Sequence, residues 1–169
     1  MIRPVAYLKK TGCLGFTLLE LTLVMFFMAI IAGLSTPFVM STLERMELQT
    51  SARKVASTLR YARSEAIASK KPVVFSGNLD KNQFWVTQGY NNETPKITSL
   101  TDPIRLDHFI NEGEDNFVRD DEFTVTFFPQ GNSSGGLIGM NINESRSSEN
   151  YYAISIDPIT GKTKIKQTK

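Results

Sequence analysis

Cysteine and histidine are almost missing: the 169-residue chain has one of each, Cys13 and His108. That removes most zinc sites, a Cys/His nucleophile pair and any disulfide framework. A charge excess is missing too, since 19 Lys+Arg stand against 17 Asp+Glu, and a formal net charge of +2 gives no bulk reason to invoke nucleic acid or a membrane surface. With 11 Gly, 7 Pro and 21% charged residues, collagen-like, low-complexity and disordered chains are excluded. The length fits one folded unit, at most with an appendage. A mean hydropathy of −0.17 reads as soluble, but the apolar residues are not spread evenly.

Residues 1–15 carry Arg3, Lys9 and Lys10 and no acid, whereas residues 16–40 hold a single charge, Glu20. As a helix the second segment is about 37 Å long at about 1.5 Å per residue, enough to cross a hydrocarbon core of about 30 Å. Cations ahead of the span place the N-terminus on the cytoplasmic side and the remainder beyond the inner membrane, in a single pass. A secretory signal peptide has the same charge order, and Ala29-Ile30-Ile31-Ala32-Gly33 offers it a cleavage site. Against it, the helical pattern runs on through Pro37 without a break. A lipoprotein signal at Cys13 is disfavoured because the apolar run follows the cysteine instead of preceding it.

Glu20 is the odd residue, because a carboxylate in a spanning helix costs about 2.5–3.5 kcal/mol. Its spacing from Thr17 fits a capping box, which makes sense only if the helix starts near residue 17. Gly15-Phe16-Thr17-Leu18-Leu19-Glu20, behind a basic leader and ahead of an apolar run, resembles the processing site of type IV pilins and type II secretion pseudopilins. The resemblance implies cleavage between Gly15 and Phe16 by a prepilin peptidase and N-methylation of Phe16. It further implies that Glu20 pairs with the N-terminal amine of a neighbouring subunit. Loss of the leader leaves 16 of the 19 Lys+Arg against 17 Asp+Glu, and no cysteine. Pro37 predicts a kink near Gly33; a proline at that distance from the cleavage site also matches the family.

Over residues 41–71, Leu48, Ala52, Val55, Leu59, Ala62 and Ala66 form one stripe of an amphipathic helix. The small alanines predict close approach of a sheet, and Lys71-Pro72 ends the segment. Seven Lys+Arg against three acids over 41–71 read as a solvated face. Ala62-Arg63-Ser64-Glu65-Ala66-Ile67 resembles the GspH/FimT group of minor pilin-like proteins, with Arg63 and Glu65 expected in a salt bridge or on the helix surface. Strands are predicted near 72–76, 83–88, 104–109, 123–129, 137–142, 151–157 and 162–166. Asp157-Pro158-Ile159-Thr160-Gly161 reads as a hairpin turn, and Phe128 to Gly136 as a flexible connection. Both stretches resemble the same group.

Between Asp102 and Glu122 stand eight acids and only Arg105 and Arg119. Asn111 to Asn116 offers oxygen ligands but lacks the spacing of a calcium loop. Gly131-Asn132-Ser133-Ser134-Gly135 fits G-x-S-x-G but is followed by a strand pattern, and His108 precedes it. Gly161-Lys162-Thr163 fits the tail of a phosphate loop without its first glycine, since position 156 is Ile156. No catalytic residue, metal or cofactor is expected.

The expected fold is α+β and type IV pilin-like: a long N-terminal helix, half membrane and half amphipathic, packed on an antiparallel β-rich head. The expected divisions are leader 1–15, filament-core helix 16–40, amphipathic helix 41–71 and periplasmic head 72–169. The resemblance implies a minor pseudopilin of type II secretion, with other pseudopilins, the prepilin peptidase and an inner-membrane assembly platform as partners. The alternative is a minor pilin of a type IV pilus. In that case Lys162, Lys164 and Lys166, which alternate along one strand face, are the candidate DNA contact.

Overall fold

The structure, a computed structural model, describes residues 15–88, 95–111, 117–118, 121–142 and 151–167. The chain divides into two compact units, Met1–Val39 and Met40–Lys169. Helix α1, Leu18–Ser69, begins in the first and ends in the second, and it is continuous through Pro37.

In the first unit every described side chain from Leu18 to Ser35 is exposed. A helix that is apolar on all sides and covers nothing needs lipid or other helices around it. It is the one helix among the described residues long and apolar enough to cross a membrane.

In the second unit all six residues of the predicted stripe are fully buried, and Ala56 is buried with them. Ala56 lies outside the single 3-4 rhythm because the face covered by a sheet is wider than one stripe. The helix stops at Ser69, Lys70 adopts a left-handed φ of 55°, and Pro72 cannot continue the helix.

Nine strands follow: β1 (Val73–Asn78), β2 (Gln83–Gln88), β3 (Thr98–Ser99), β4 (Ile104–Ile110), β5 (Phe117–Val118), β6 (Glu122–Phe127), β7 (Gly136–Ile142), β8 (Tyr151–Ile156) and β9 (Thr163–Gln167). All pairings are antiparallel, in a four-stranded sheet of order β3-β2-β1-β6 and a five-stranded sheet of order β5-β4-β7-β8-β9. The seven predicted strands are all present. The two-residue strands β3 and β5 are additions, too short to show any alternation. β6 stops at Phe127, short of the predicted 129, because Phe128 N–H turns to the Asn132 carbonyl (3.0 Å) and Pro129 has no N–H to offer a ladder.

One core joins the α1 stripe to both sheets. Phe75 stacks on Phe84 with ring centroids 5.7 Å apart, and Phe123 of β6 stacks on Phe109 of β4 at 4.6 Å, so aromatic rings tie one sheet to the other. Asn82, buried in the β1–β2 turn at φ 53°, donates to the Ile104 carbonyl (2.7 Å) and accepts from Leu106 N–H (3.0 Å). One polar side chain thereby fixes the first hairpin against β4 of the second sheet.

Candidate functional site

At the start of α1, Gly15, Phe16 and Thr17 are non-helical and exposed. Thr17 is the N-cap: its Oγ1 accepts from Glu20 N–H at 3.2 Å, and its carbonyl accepts from Leu21 N–H at 3.1 Å. The expected capping box is half made. Glu20's exposed carboxylate has no hydrogen-bond or ion-pair partner among the described residues. An acid thus stands free beside the positive end of the helix dipole, within a wholly apolar stretch. Residues 1–14 of the expected leader, Cys13 included, lie outside the described residues, and so does the side chain of Pro37.

In the second unit the two loops that sequence alone separates by some twenty-five residues meet one side chain of α1. Arg63 Nε donates to the Gly131 carbonyl and to the Thr160 carbonyl, each at 3.0 Å. Arg63 lies four residues after Leu59 and three before Ala66, at the border of the buried stripe, so its chain lies along the sheets while its head reaches the loops. The structure corrects the expectation of a salt bridge or free surface position: Arg63 satisfies backbone carbonyls. Glu65, also expected in a salt bridge or on the surface, accepts from Gln88 Nε2 and anchors β2.

The stretch from Phe128 to Gly136 is likewise not the flexible connection expected. Ser133 N–H donates to the Pro158 carbonyl (2.9 Å), its hydroxyl to the Asp157 carbonyl (3.1 Å), and Ser134 N–H to the Thr126 carbonyl (2.9 Å). These bonds also cover part of the outer edge of β6. Gly161 completes the lock at φ 60°, where a Cβ would come within 2.4 Å of the Gly131 oxygen and 2.9 Å of Arg63 Nε. Ser133, the would-be nucleophile of G-x-S-x-G, is buried with its hydroxyl committed to backbone.

Asp157 holds the last turn. Its Oδ1 accepts from Thr160 N–H (2.7 Å) and from the Thr160 hydroxyl (3.0 Å). Those bonds, the backbone one foremost, keep its carboxyl below the usual aspartate range, and the charge of Lys164 adds to the effect. A depressed folded value means stability that is present above the unfolded pKa and is lost as pH falls through the folded one. Asp157→Ala is therefore expected to lower the unfolding temperature at neutral pH, with the gap from the unaltered chain narrowing below about pH 4. A pH series of thermal melts checks it; a gap unchanged down to about pH 2 contradicts it.

His108 sits on β4 beside a bulge between Leu106 and His108 that brings Asp107 into reach. Its Nδ1 is 2.7 Å from Asp107 Oδ2 and its Nε2 is 3.3 Å from the Tyr151 hydroxyl. A carboxylate only accepts, so Nδ1 carries the proton and donates it to Asp107. The imidazole is buried and lies within the sheet, as a strand-face residue. Among the described residues no three His, Cys, Asp or Glu cluster as a metal would need. Glu112 to Asn116 of the oxygen-rich loop lie outside the described residues.

β9 is an edge of the five-stranded sheet, and Lys164 and Lys166 are exposed on it while Thr163 and Ile165 are half-buried. Lys162 precedes the strand, so the predicted strand start at 162 moves to Thr163. Arg60 and Arg63 of α1 border the same groove as Lys162 and Lys164. Arg60 is the basic residue that strand periodicity could not have added to the lysines.

The sequence profile of the family described as Type II transport protein GspH matches residues 51–160, more than half of the chain, including Arg63 and the two carbonyls it holds. The chain belongs to this family. It is a family of minor pseudopilins of type II secretion, structural subunits that associate with other pseudopilins. The chain is 25% identical over 150 residues to Type II secretion system protein H of Xanthomonas campestris pv. campestris, covering 89% of this chain and 81% of that protein. Its fold is similar to that of the minor pseudopilin EpsH from the Type 2 Secretion System of Vibrio cholerae (TM-score 0.59, 14% identity, 72% of this chain and 96% of that one). It is also similar to the type IV minor pilin FimU of Pseudomonas aeruginosa (TM-score 0.54, 18% identity, 74% and 92%). The fold is common to secretion and pilus subunits; the descriptions of the matching family and of the Xanthomonas relative both name type II transport or secretion.

Proposed function

We propose that this minor pseudopilin enters its filament through a cleaved N-terminus, with Glu20 as the recognition charge. Prepilin peptidase cuts after Gly15, Phe16 becomes the methylated first residue, and Glu20 takes the α-amino group of an adjoining subunit. The exposed apolar residues from Phe16 to Val39 sit in the inner membrane as a single pass before assembly and against other helices afterwards. Pro37 supplies the local bend that packing requires. The N-terminus then lies on the cytoplasmic side and the head in the periplasm. Assembly proceeds on an inner-membrane platform.

The observation that carries this reading is the Glu20 carboxylate, unpartnered among the described residues, at a capped helix start in an exposed apolar segment. A buried acid and a buried amine each cost several kcal/mol alone and become tolerable together. The fold of FimU supports the alternative of a pilus subunit only at the level of architecture.

Intact-mass measurement of the membrane-extracted native protein tests the reading. The expected product starts at Phe16 and carries one methyl group. A product retaining residues 1–15, or starting beyond Ala32, overturns it.

A further inference from the structure

The groove on the basic edge is lined by cationic side chains. It encloses about 390 Å³ between Arg60, Arg63 and Ser64 of α1 and Lys162, Thr163 and Lys164 at the start of β9. Among the described residues no acidic side chain lines it. The side chains of Arg60, Lys162, Lys164 and Lys166 are exposed and have no hydrogen-bond or ion-pair partner among the described residues. Asp157 feels the charge of Lys164, but its Oδ1 is turned into its own loop by Thr160. The floor is rigid, because the guanidinium of Arg63 is pinned by two carbonyls and Gly161 is wedged against Gly131.

The acids of the chain are gathered away from these cations in the sequence, eight of them between Asp102 and Glu122. In the order β5-β4-β7-β8-β9, the strands β4 and β5 that this stretch includes lie on the far side from β9, and its end enters β6 of the other sheet. Beyond Met40 the chain holds all of its 19 Lys+Arg except Arg3, Lys9 and Lys10, and all of its 17 Asp+Glu except Glu20, so cations and acids balance there. A unit without net charge is poorly suited to a polyanion. It is well suited to a head-to-tail contact, the heterologous kind from which open helical assemblies grow.

We infer that the β9 groove docks an acidic segment on the head of a neighbouring filament subunit, a segment of the composition this chain carries at 102–122. This rests on the filament-subunit reading and adds the side of the head that faces the neighbour. Rim charges of this kind set orientation and encounter rate and respond to salt.

The probe is a fluorescent peptide with the sequence of residues 107–122 of this chain, added to the full-length protein in non-ionic detergent. A control peptide has every Asp and Glu changed to Asn and Gln. The expected result is binding of the acidic peptide in about 50 mM salt, weakened about tenfold at about 300 mM, with the control peptide silent. The double variant Lys162→Glu/Lys164→Glu is expected to weaken binding about tenfold with an unchanged unfolding temperature, and Arg60→Glu about threefold. Equal binding of both peptides, no binding of either, or wild-type affinity in the double variant overturns the inference. Binding of a 20-base-pair duplex that the acidic peptide cannot displace also overturns it, in favour of a nucleic-acid surface. The intact mass of the same preparation keeps the two readings apart: a correctly processed chain that ignores the peptide fails this inference alone.

Discussion

Glu20→Ala is expected to leave the protein in the membrane fraction and to reduce its incorporation into filaments by about a hundredfold or more. Breaking a buried ion pair by removing one partner costs about 3–5 kcal/mol, since the other charge stays buried alone. Insertion itself becomes easier without a carboxylate in the span. Cross-linking yield to neighbouring subunits and the amount of secreted substrate measure the loss. Glu20→Gln separates pairing from capping, because Thr17 Oγ1 already caps the backbone and the glutamine keeps the side chain's size. If Glu20 acts only through the helix end, either substitution costs about 0.5–1 kcal/mol and assembly survives. Near-normal assembly of Glu20→Gln would falsify the counter-ion role.

Gly161→Ala is expected to destabilise the second unit by about 2–4 kcal/mol, roughly 5–12 °C in unfolding temperature. Two effects add. The left-handed φ of 60° disfavours any side chain, and the new methyl group meets the Gly131 oxygen at 2.4 Å. The neighbour that must yield is backbone held by Arg63, so relief in one place loosens the hydrogen bonds in another. Trp85, the chain's one tryptophan, lies on β2 and reports the transition by fluorescence. Arg63→Lys should reproduce part of the loss, since a point-like ammonium cannot hold both carbonyls in the geometry of the guanidinium Nε. A melt of Gly161→Ala within about 1 °C of the unaltered chain shows that the lock contributes little.

The two substitutions act in different units and should be independent. Glu20→Ala leaves the unfolding of the second unit unchanged, whereas Gly161→Ala lowers its stability without touching residues 15–20. Sites without shared partners combine additively, so the double variant is expected to show both losses at full size.

Much of the architecture was legible because it is periodic. The stripe from Leu48 to Ala66 announced the buried helix face, and alternation in stretches such as Glu122 to Phe127 announced strands with one face inward. Thr17 and Glu20 announced the helix start, since capping needs a hydroxyl at one position and a free N–H three residues on. Arg63 was visible only as part of a familiar string. Its partners are carbonyl oxygens of Gly131 and Thr160, and a carbonyl has no signature in the amino-acid code. The loop from Phe128 to Gly136 looked flexible because its glycines and serines are local features, while the bonds that pin it come from residues 157 and 158. Arg60 joined the lysines for the same reason: helix and strand periods cannot say which faces meet.

By itself the sequence determined the local grammar of this protein: a basic stretch, an apolar helix with one acid, an amphipathic continuation and seven of the strands. Each of these is set by interactions within a few residues, where spacing and composition carry the physics. Only the tertiary structure decided the partition into two sheets, the closure of two loops on Arg63, and the placing of Arg60 beside the lysines at the start of β9. Those depend on pairings across tens of residues, whose energies come from packing and from backbone groups that are the same in every amino acid.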